Sequence, residues 1–263
     1  MLFRSTNFPA VVARSIYARY AHPRKPGAEV TVWDPSMGFG GRLCGALSLL
    51  DRPMHYIGTD PNSLNYFPDG CSRYSNLELV FKSELVARRE TFRGTYLKCG
   101  SEEVHTLPAF QKYRGNVDLV ASSPPYFSAE LYNDEPSQSS MKFATYEDWR
   151  EGFLARTMQT GAEWLRKGGY LILNVANSGR HPIEDDVRII ARRLKLKRVA
   201  TEKMILAHSP GAGRKKGEHP TTWNFTTIRG KLRKFEPIII HVKEQDTPAI
   251  KKFNFSRDRK SVV

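Results

Sequence analysis

Two aspartates and a run of glycines stand where a chain could meet a nucleoside. Asp34-Pro35-Ser36-Met37-Gly38-Phe39-Gly40-Gly41 follows a short β-branched stretch and precedes a segment of helical composition. Glycines at such a turn let the backbone approach a ligand and expose the N–H groups of a helix start. Asp60 comes 26 residues later, again after an extended run and again before proline, where a carboxylate can accept both hydroxyls of a ribose. The pattern is neither G-x-G-x-x-G nor G-x-x-x-x-G-K-S/T, which favours an adenosine-containing ligand other than a nicotinamide dinucleotide or ATP. Alone, the glycines are equally explained by a tight turn; with Asp60 at this interval they point to a nucleoside site. A second cluster, Ser123-Pro124-Pro125-Tyr126, ends another extended run. It joins a hydroxyl, a carbonyl that flanking prolines hold in place, and an aromatic ring.

These residues need a frame, and the chain alternates strand and helix patterns. Extended runs fall at 29–34, 55–60, 95–99, 117–122 and 170–176, with helical patterns at 41–50, 72–89 and 146–167, the last stopped by Gly168-Gly169. Such alternation predicts a parallel sheet covered by helices on both faces. Ligands then bind beyond the carboxyl ends of the strands, where Asp34, Asp60 and 122–126 all fall. Two late strand-like segments, 198–207 and 236–242, complete the fold. Between them lies a loop at 208–235 holding Arg214, Lys215, Lys216, Arg229, Lys231, Arg233 and Lys234, and a loop of that length is usually functional or disordered. A second irregular stretch, 128–144, contains Asp134 and Glu135 and is expected on the same side of the sheet. Before the first strand, Phe8, Val11, Val12, Ile16 and Tyr17 recur at helical spacing and read as one face of a packed helix rather than as a transit peptide.

The chain has 263 residues, ample for a single α/β domain, and a net charge of +14. From position 192 onward there are 19 Lys and Arg against 6 Asp and Glu, which leaves +1 for residues 1–191. A near-neutral body with a cationic end suggests a polyanion, most simply nucleic acid. No apolar run approaches the roughly 20 residues of a bilayer span, so no membrane partner is expected. Cys44, Cys71 and Cys99 are odd in number and widely spaced, which indicates neither a disulfide framework nor a metal site.

Taken together, Asp-Pro-x-x-Gly-x-Gly, Ser-Pro-Pro-Tyr and Gly168-Gly-Tyr-Leu-Ile-Leu-Asn174 resemble the S-adenosylmethionine-dependent amino-methyltransferases, which methylate exocyclic amino groups of adenine or cytosine in DNA. The family tetrapeptide is Asp, Asn or Ser, then Pro-Pro, then Tyr, Phe or Trp. The resemblance spans about residues 7–242, and the whole looks like the small phage-encoded members. It implies a class I, Rossmann-like α/β fold with a seven-stranded, mostly parallel sheet. It implies an N-terminal helical segment at 1–28, a methyltransferase domain at 29–243 carrying the basic loop, and a basic tail at 244–263. By the same resemblance Asp34, Pro35, Gly38 and Gly40 line the methionine end of S-adenosylmethionine, Asp60 binds its ribose and Ser101 or Glu102 lies near its adenine. Phe8 and Pro9 occupy the place of the family's N-terminal cofactor motif.

An aromatic amine is a poor nucleophile because its lone pair is delocalised, so the site must accept its hydrogen bonds. Ser123 and the Pro124 carbonyl are the expected acceptors, Pro125 fixes the turn, and Tyr126 stacks on the base. In duplex DNA the base must first be flipped out of the stack, with Phe127, Tyr132 and Trp149 as aromatic candidates for the pocket wall. The basic loop, with Lys251, Lys252, Arg257, Arg259 and Lys260 of the tail, would grip phosphates. Serine at the head of the tetrapeptide is commoner in cytosine-specific members, whereas the glycine motif preceding it is typical of adenine-specific ones, so either base remains open. No large target-recognition domain is visible, and specificity is expected to be loose or to need a partner or a second copy. The resemblance implies an intracellular enzyme, in the host cytoplasm if phage-encoded. RNA or a protein glutamine as acceptor, and a non-catalytic nucleic-acid-binding protein, are the alternatives.

Overall fold

The computed structural model of the protein describes residues 7–86, 88–127, 134–178, 181–206, 224–228, 231–253 and 255. Five strands lie parallel: β1 (Val30–Asp34), β2 (Met54–Thr59), β3 (Phe92–Leu97), β4 (Val117–Ser122) and β5 (Leu165–Asn174). Every residue of β2 and β4 is buried, as strands covered on both faces require. Three more follow, β6 (Leu196–Ile205), β7 (Asn224–Ile228) and β8 (Lys231–Lys243). The order across the sheet is β3-β2-β1-β4-β5-β8-β6, with β7 on β8, which runs antiparallel to its three neighbours. This is the α/β architecture that the resemblance implies, a mostly parallel sheet with helices on both faces, its seven-strand path extended by β7.

Helices cover both faces. One layer is built by α1 (Ala10–Tyr20), α2 (Gly41–Leu47) and α3 (Arg73–Glu84), where Ile16, Tyr17, Leu43, Leu47 and Tyr74 meet Val30, Val32, Tyr56 and Ile172. After the short α4 (Arg88–Thr91), α5 (Ser139–Lys142) and α6 (Tyr146–Trp149), the other layer has α7 (Arg156–Trp164) and α8 (Ile183–Arg193). There Met158, Trp164, Val187 and Ile190 pack on Trp33, Val120, Leu171 and Leu173. Sequence neighbours Val32 and Trp33 thus enter opposite cores, as the two-residue period of a strand dictates. A Cβ at Gly45 would sit 2.6 Å from the Ala13 Cβ and 2.7 Å from the Ala10 carbonyl, so α1 and α2 touch backbone to backbone. No helix among the described residues is long and apolar enough to cross a membrane.

Several expectations need correction. Val11 is 75% exposed, and α1 buries Ala13, Ile16 and Tyr17 instead. The helix expected to reach position 167 stops at Trp164, its middle being a π-helical segment, Arg150–Ala155. Its end is set by Lys243, whose Nζ donates to the carbonyls of Ala162 and Leu165, both at 2.7 Å, a cation placed where the helix dipole is negative. Gly168, at φ 79°, and Gly169 therefore belong to an irregular stretch of β5, opposite a register shift between Val117 and Leu119. The supposed loop at 208–235 contains β7 and the start of β8, with Ile228 opposite Lys231 and Asn224 opposite Phe235; the β-branched and aromatic run Phe225-Thr-Thr-Ile228 favours a strand there.

Candidate functional site

A cavity opens at the carboxyl ends of β1 to β4. Pro35, Ser36, Gly38 and Phe39 come from the loop after β1, Asp60, Pro61 and Asn62 from that after β2, and Gly100, Ser101 and Glu102 from that after β3. Ser123 and Pro125 follow β4, and Ser137, Gln138, Ser139 and Phe153 close the far wall. The structure thus gathers seven of the sequence-predicted residues on one surface: Pro35, Gly38, Asp60, Ser101, Glu102, Ser123 and Pro125.

Asp60 and Glu102 bring carboxylates to this wall, and Asp60 is anchored by backbone donors. Its Oδ2 accepts from the Gly38 N–H at 2.7 Å and its Oδ1 from the Asn62 N–H at 2.9 Å. Burial pushes its carboxyl pKa up to about 6, against the pull of the Asn62 and Gly38 N–H groups and with the nearby Asp34 charge adding to the rise. Those bonds clamp the glycine loop to β2, and the Tyr74 hydroxyl, donating to the Gly38 carbonyl at 2.7 Å, ties the loop to α3. Gly40 adopts φ 83° at the start of α2, in the left-handed region a side chain resists. It turns the chain into the helix without lining the cavity.

Asp34, expected at the methionine end of the ligand, lies behind the wall instead. It is fully buried, and its carboxylate is taken up by four donors: Arg42 Nε at 2.9 Å and Tyr56 Oη at 2.6 Å on Oδ2, Ser122 Oγ at 2.8 Å and Ser36 N at 3.3 Å on Oδ1. Arg42 also donates to the Ser36 carbonyl. Burial works against the guanidinium charge, and Asp34 overrides it, pushing the Arg42 pKa up. Phe8 belongs to this support, its ring 5.3 Å from the Arg42 guanidinium. Both residues hold the loop from behind.

In the tetrapeptide, Ser123 and Pro125 face the cavity, Pro124 is buried, and Tyr126 is half-buried and packed against the core layer that contains Trp149. Phe127 has φ 44°, unusual for a residue with a side chain, and its ring packs 5.9 Å from Tyr146, 5.9 Å from Trp149 and 5.4 Å from His181. Packing of this kind sustains a strained backbone. Phe127 and the fully buried Trp149 are core residues, and the aromatic residues lining the cavity are Phe39 and Phe153. Tyr132 lies outside the described residues.

The stretch containing Glu135 does reach the site. Glu135 accepts from the Ser63 N–H at 3.2 Å and from its hydroxyl, Ser139 accepts from Trp149 Nε1 at 3.2 Å, and Lys142 Nζ pairs with Glu102 at 2.6 Å and Glu103 at 2.7 Å. These contacts hold the stretch so that Ser137, Gln138 and Ser139 line one side of the cavity. The Ser101 hydroxyl is shared with Thr157 of α7 at 2.8 Å. Glu102 Oε2 and Gln138 Nε2, both buried, have no partner among the described residues, and a wall with a spare acceptor and a spare donor suits a polar ligand. Asn62, Ser137, Gln138 and Phe153 carry no motif; only the Asp60-Pro-Asn62 turn, with Asn62 accepting from the Leu64 N–H at 3.0 Å, leaves a local signature.

Of the predicted nucleic-acid-binding residues, Arg214, Lys215, Lys216 and Arg229 lie outside the described residues. Lys231, Arg233 and Lys234 belong to β8 rather than to a loop, the last two opposite Thr226 and Phe225. Among the described residues no group of three His, Cys, Asp or Glu could hold a metal ion.

No protein-family model matches the chain, and no curated protein matches it by sequence. Solved structures do resemble it in fold. A SAM-dependent O-methyltransferase from Thermotoga maritima aligns over 94% of this chain and 69% of its own, at 10% identity and a TM-score of 0.48. A putative class I S-adenosylmethionine-dependent methyltransferase from Listeria monocytogenes aligns over 92% of this chain at 16% identity and a TM-score of 0.48, the overlap spanning 61% of its length. The 1,6-didemethyltoxoflavin-N1-methyltransferase of Burkholderia thailandensis, solved with S-adenosylhomocysteine, aligns over 90% of this chain and 78% of its own, at 12% identity and a TM-score of 0.49. None reaches 0.5, so the reading of the site rests on this chain's own residues.

Proposed function

We propose that this protein is an S-adenosylmethionine-dependent methyltransferase that acts on the exocyclic amino group of adenine or cytosine in DNA. One observation carries the reading: the carboxylate of Asp60 and the Ser123 and Pro125 side chains of the Ser-Pro-Pro turn line the same cavity, beyond the parallel strands β2 and β4 that flank β1. Asp60 suits a ribose, its two oxygens fixed by backbone donors, and Glu102 offers an unpaired acceptor on the same wall. The bound cofactor supplies an electrophilic methyl group on its sulfonium. Ser123 and the carbonyl of Pro124 accept hydrogen bonds from the target amine and turn its lone pair outward, while the two prolines keep that carbonyl from reorienting. Their part is alignment rather than strong base catalysis. The cationic C-terminal quarter favours a polyanionic acceptor over a small molecule.

Incubation with labelled cofactor and DNA, RNA or protein in parallel, followed by mass spectrometry of nucleosides, tests the assignment. N6-methyladenine or N4-methylcytosine in the DNA arm is expected, and Ser123→Ala and Asp60→Ala should each lower transfer at least ~100-fold. Methyl transfer to RNA or protein alone would move the reading to that acceptor; undiminished transfer by both variants would overturn it.

A further inference from the structure

Phe153 reaches the cavity from an unusual stretch of helix. It lies in the π-helical segment Arg150–Ala155 between α6 and α7, a form that occurs mostly as single-turn bulges and often beside functional sites. Such turns are far rarer than α-helical ones, so contacts outside the segment must select this one. Its first three residues are each held by a different part of the chain. Arg150 places its guanidinium 3.7 Å from the centre of the Phe255 ring and its Nη1 3.8 Å from Oδ2 of the fully buried Asp186 on α8. The Glu151 carboxylate accepts from the Phe253 N–H at 2.9 Å. Gly152 lies flush against Phe143, whose ring would stand 2.3 Å from a Cβ there.

Two of these holds come from one stretch. Phe253 and Phe255 are each 5% exposed, 6.2 Å apart ring to ring, and buried in the core layer that contains Phe153. Earlier in the same stretch, Thr247 Oγ1 donates to the Ala162 carbonyl of α7 at 3.0 Å. Position 247 meets 162, 253 meets 151 and 255 meets 150, so the stretch runs back along the helix as a strap, from α7 to its π-helical start. We infer that this strap is a positioning element of the cavity: Phe255 and Phe253, acting through Arg150 and Glu151, hold the turn that keeps the Phe153 ring on the wall. The inference rests on the cavity being an S-adenosyl site. One residue of helix is about 100° of rotation. Relaxation of the turn to α-helical geometry would therefore reorient Phe153 relative to α7, which stays tied to the cavity by the bond from Thr157 to Ser101 at 2.8 Å. Ligand affinity then falls with the fraction of molecules whose wall is formed.

Calorimetric titration of the full chain with S-adenosylhomocysteine tests this without any turnover. Phe153→Ala and Phe255→Ala should each weaken binding ~10-fold. The double variant should bind no more weakly than Phe153→Ala, because Phe255 acts through the ring already removed. Phe255→Tyr, which keeps an aromatic face on Arg150, should bind like the wild type. Leu196→Ala truncates a buried side chain at the amino end of β6, away from the cavity; it should lower the melting temperature and leave affinity unchanged, which separates positioning from general destabilisation. Hydrogen exchange without ligand gives a second measure: amides of residues 150–156 should exchange at least ~10-fold faster in Phe255→Ala. Where Phe255→Ala fails to fold, Phe255→Leu, which keeps apolar bulk without the ring face, should show the same losses. Wild-type affinity in the folded Phe255 variants, losses that add in the double variant, or unaltered exchange would overturn the inference and leave the cofactor reading standing. A wild-type protein that binds no S-adenosylhomocysteine would overturn the cofactor reading and the inference with it.

Discussion

Replacing Asp34 by Asn removes the negative half of an ion pair that has no water to fall back on. Asp34 is 0% exposed and Arg42 5%, with 2.9 Å between them. Truncating one partner of such a pair leaves a buried charge uncompensated, which destabilises by about 3–5 kcal/mol. The new amide would also face the Tyr56 hydroxyl and the Arg42 guanidinium, two donors, with a donor of its own. Against a total stability of about 5–15 kcal/mol, the loss is large, and it corresponds to a fall in Tm on the order of 10 °C for a domain of this size. Removing the charge of Arg42 as well should recover part of it. The double variant Asp34→Asn, Arg42→Met is expected to be less destabilised than the sum of the singles by about 1–3 kcal/mol, the coupling of residues in contact. Urea unfolding of the four proteins, followed by tryptophan fluorescence, measures the cycle. An Asp34→Asn protein that melts with the wild type yet fails to bind S-adenosylhomocysteine would refute the argument, because it would make Asp34 a ligand contact and not the anchor of its loop.

Two further outcomes follow from the charges. Asp60 has a carboxyl pKa raised to about 6, and a ribose needs the ionised form as acceptor, so S-adenosylhomocysteine affinity should be level above pH 7 and fall ~10-fold by pH 5. The same raised value means that Asp60 favours folding below the unfolded carboxyl pKa and that this contribution is lost as pH rises through 6; a binding curve flat from pH 8 to 5 would contradict its role. Neutralising Arg214, Lys215 and Lys216 should weaken DNA binding and flatten the slope of log affinity against log salt by about 3, at roughly 0.9 per phosphate contact, with cofactor affinity unchanged. An unaltered slope would remove these residues from the interface.

Much of the frame is legible in local pattern. Short, largely apolar and β-branched runs such as 117–122 fit strands buried on both faces, and alternation with helical segments leaves a parallel sheet as the economical arrangement. The site falls at the strand ends because the chain's unusual residues, the glycine loop, Asp60 and the double proline, all stand where extended runs stop. Other features have no local cause. The helix ends at Trp164 because Lys243, 78 residues beyond Leu165, caps its carbonyls. Gln138 and Ser139 reach the wall because Glu135 is held by Ser63, 72 residues away.

The two aspartates mark the boundary most sharply. Asp34-Pro35 and Asp60-Pro61 look alike in sequence, each an acid at the end of a strand followed by proline. That both stand at one end of the sheet was settled by their own neighbourhoods. Which of them lines the cavity was settled by the tertiary neighbours: Arg42 eight residues on, with Tyr56 and Ser122 farther along the chain, converges on Asp34 and leaves no oxygen for anything else, whereas Asp60 takes its bonds from the Gly38 and Asn62 N–H groups and the Asn65 amide and remains on the cavity wall. A buried carboxylate must find donors, and the packing of strands, loops and α2 around the strand ends decides which donors those are.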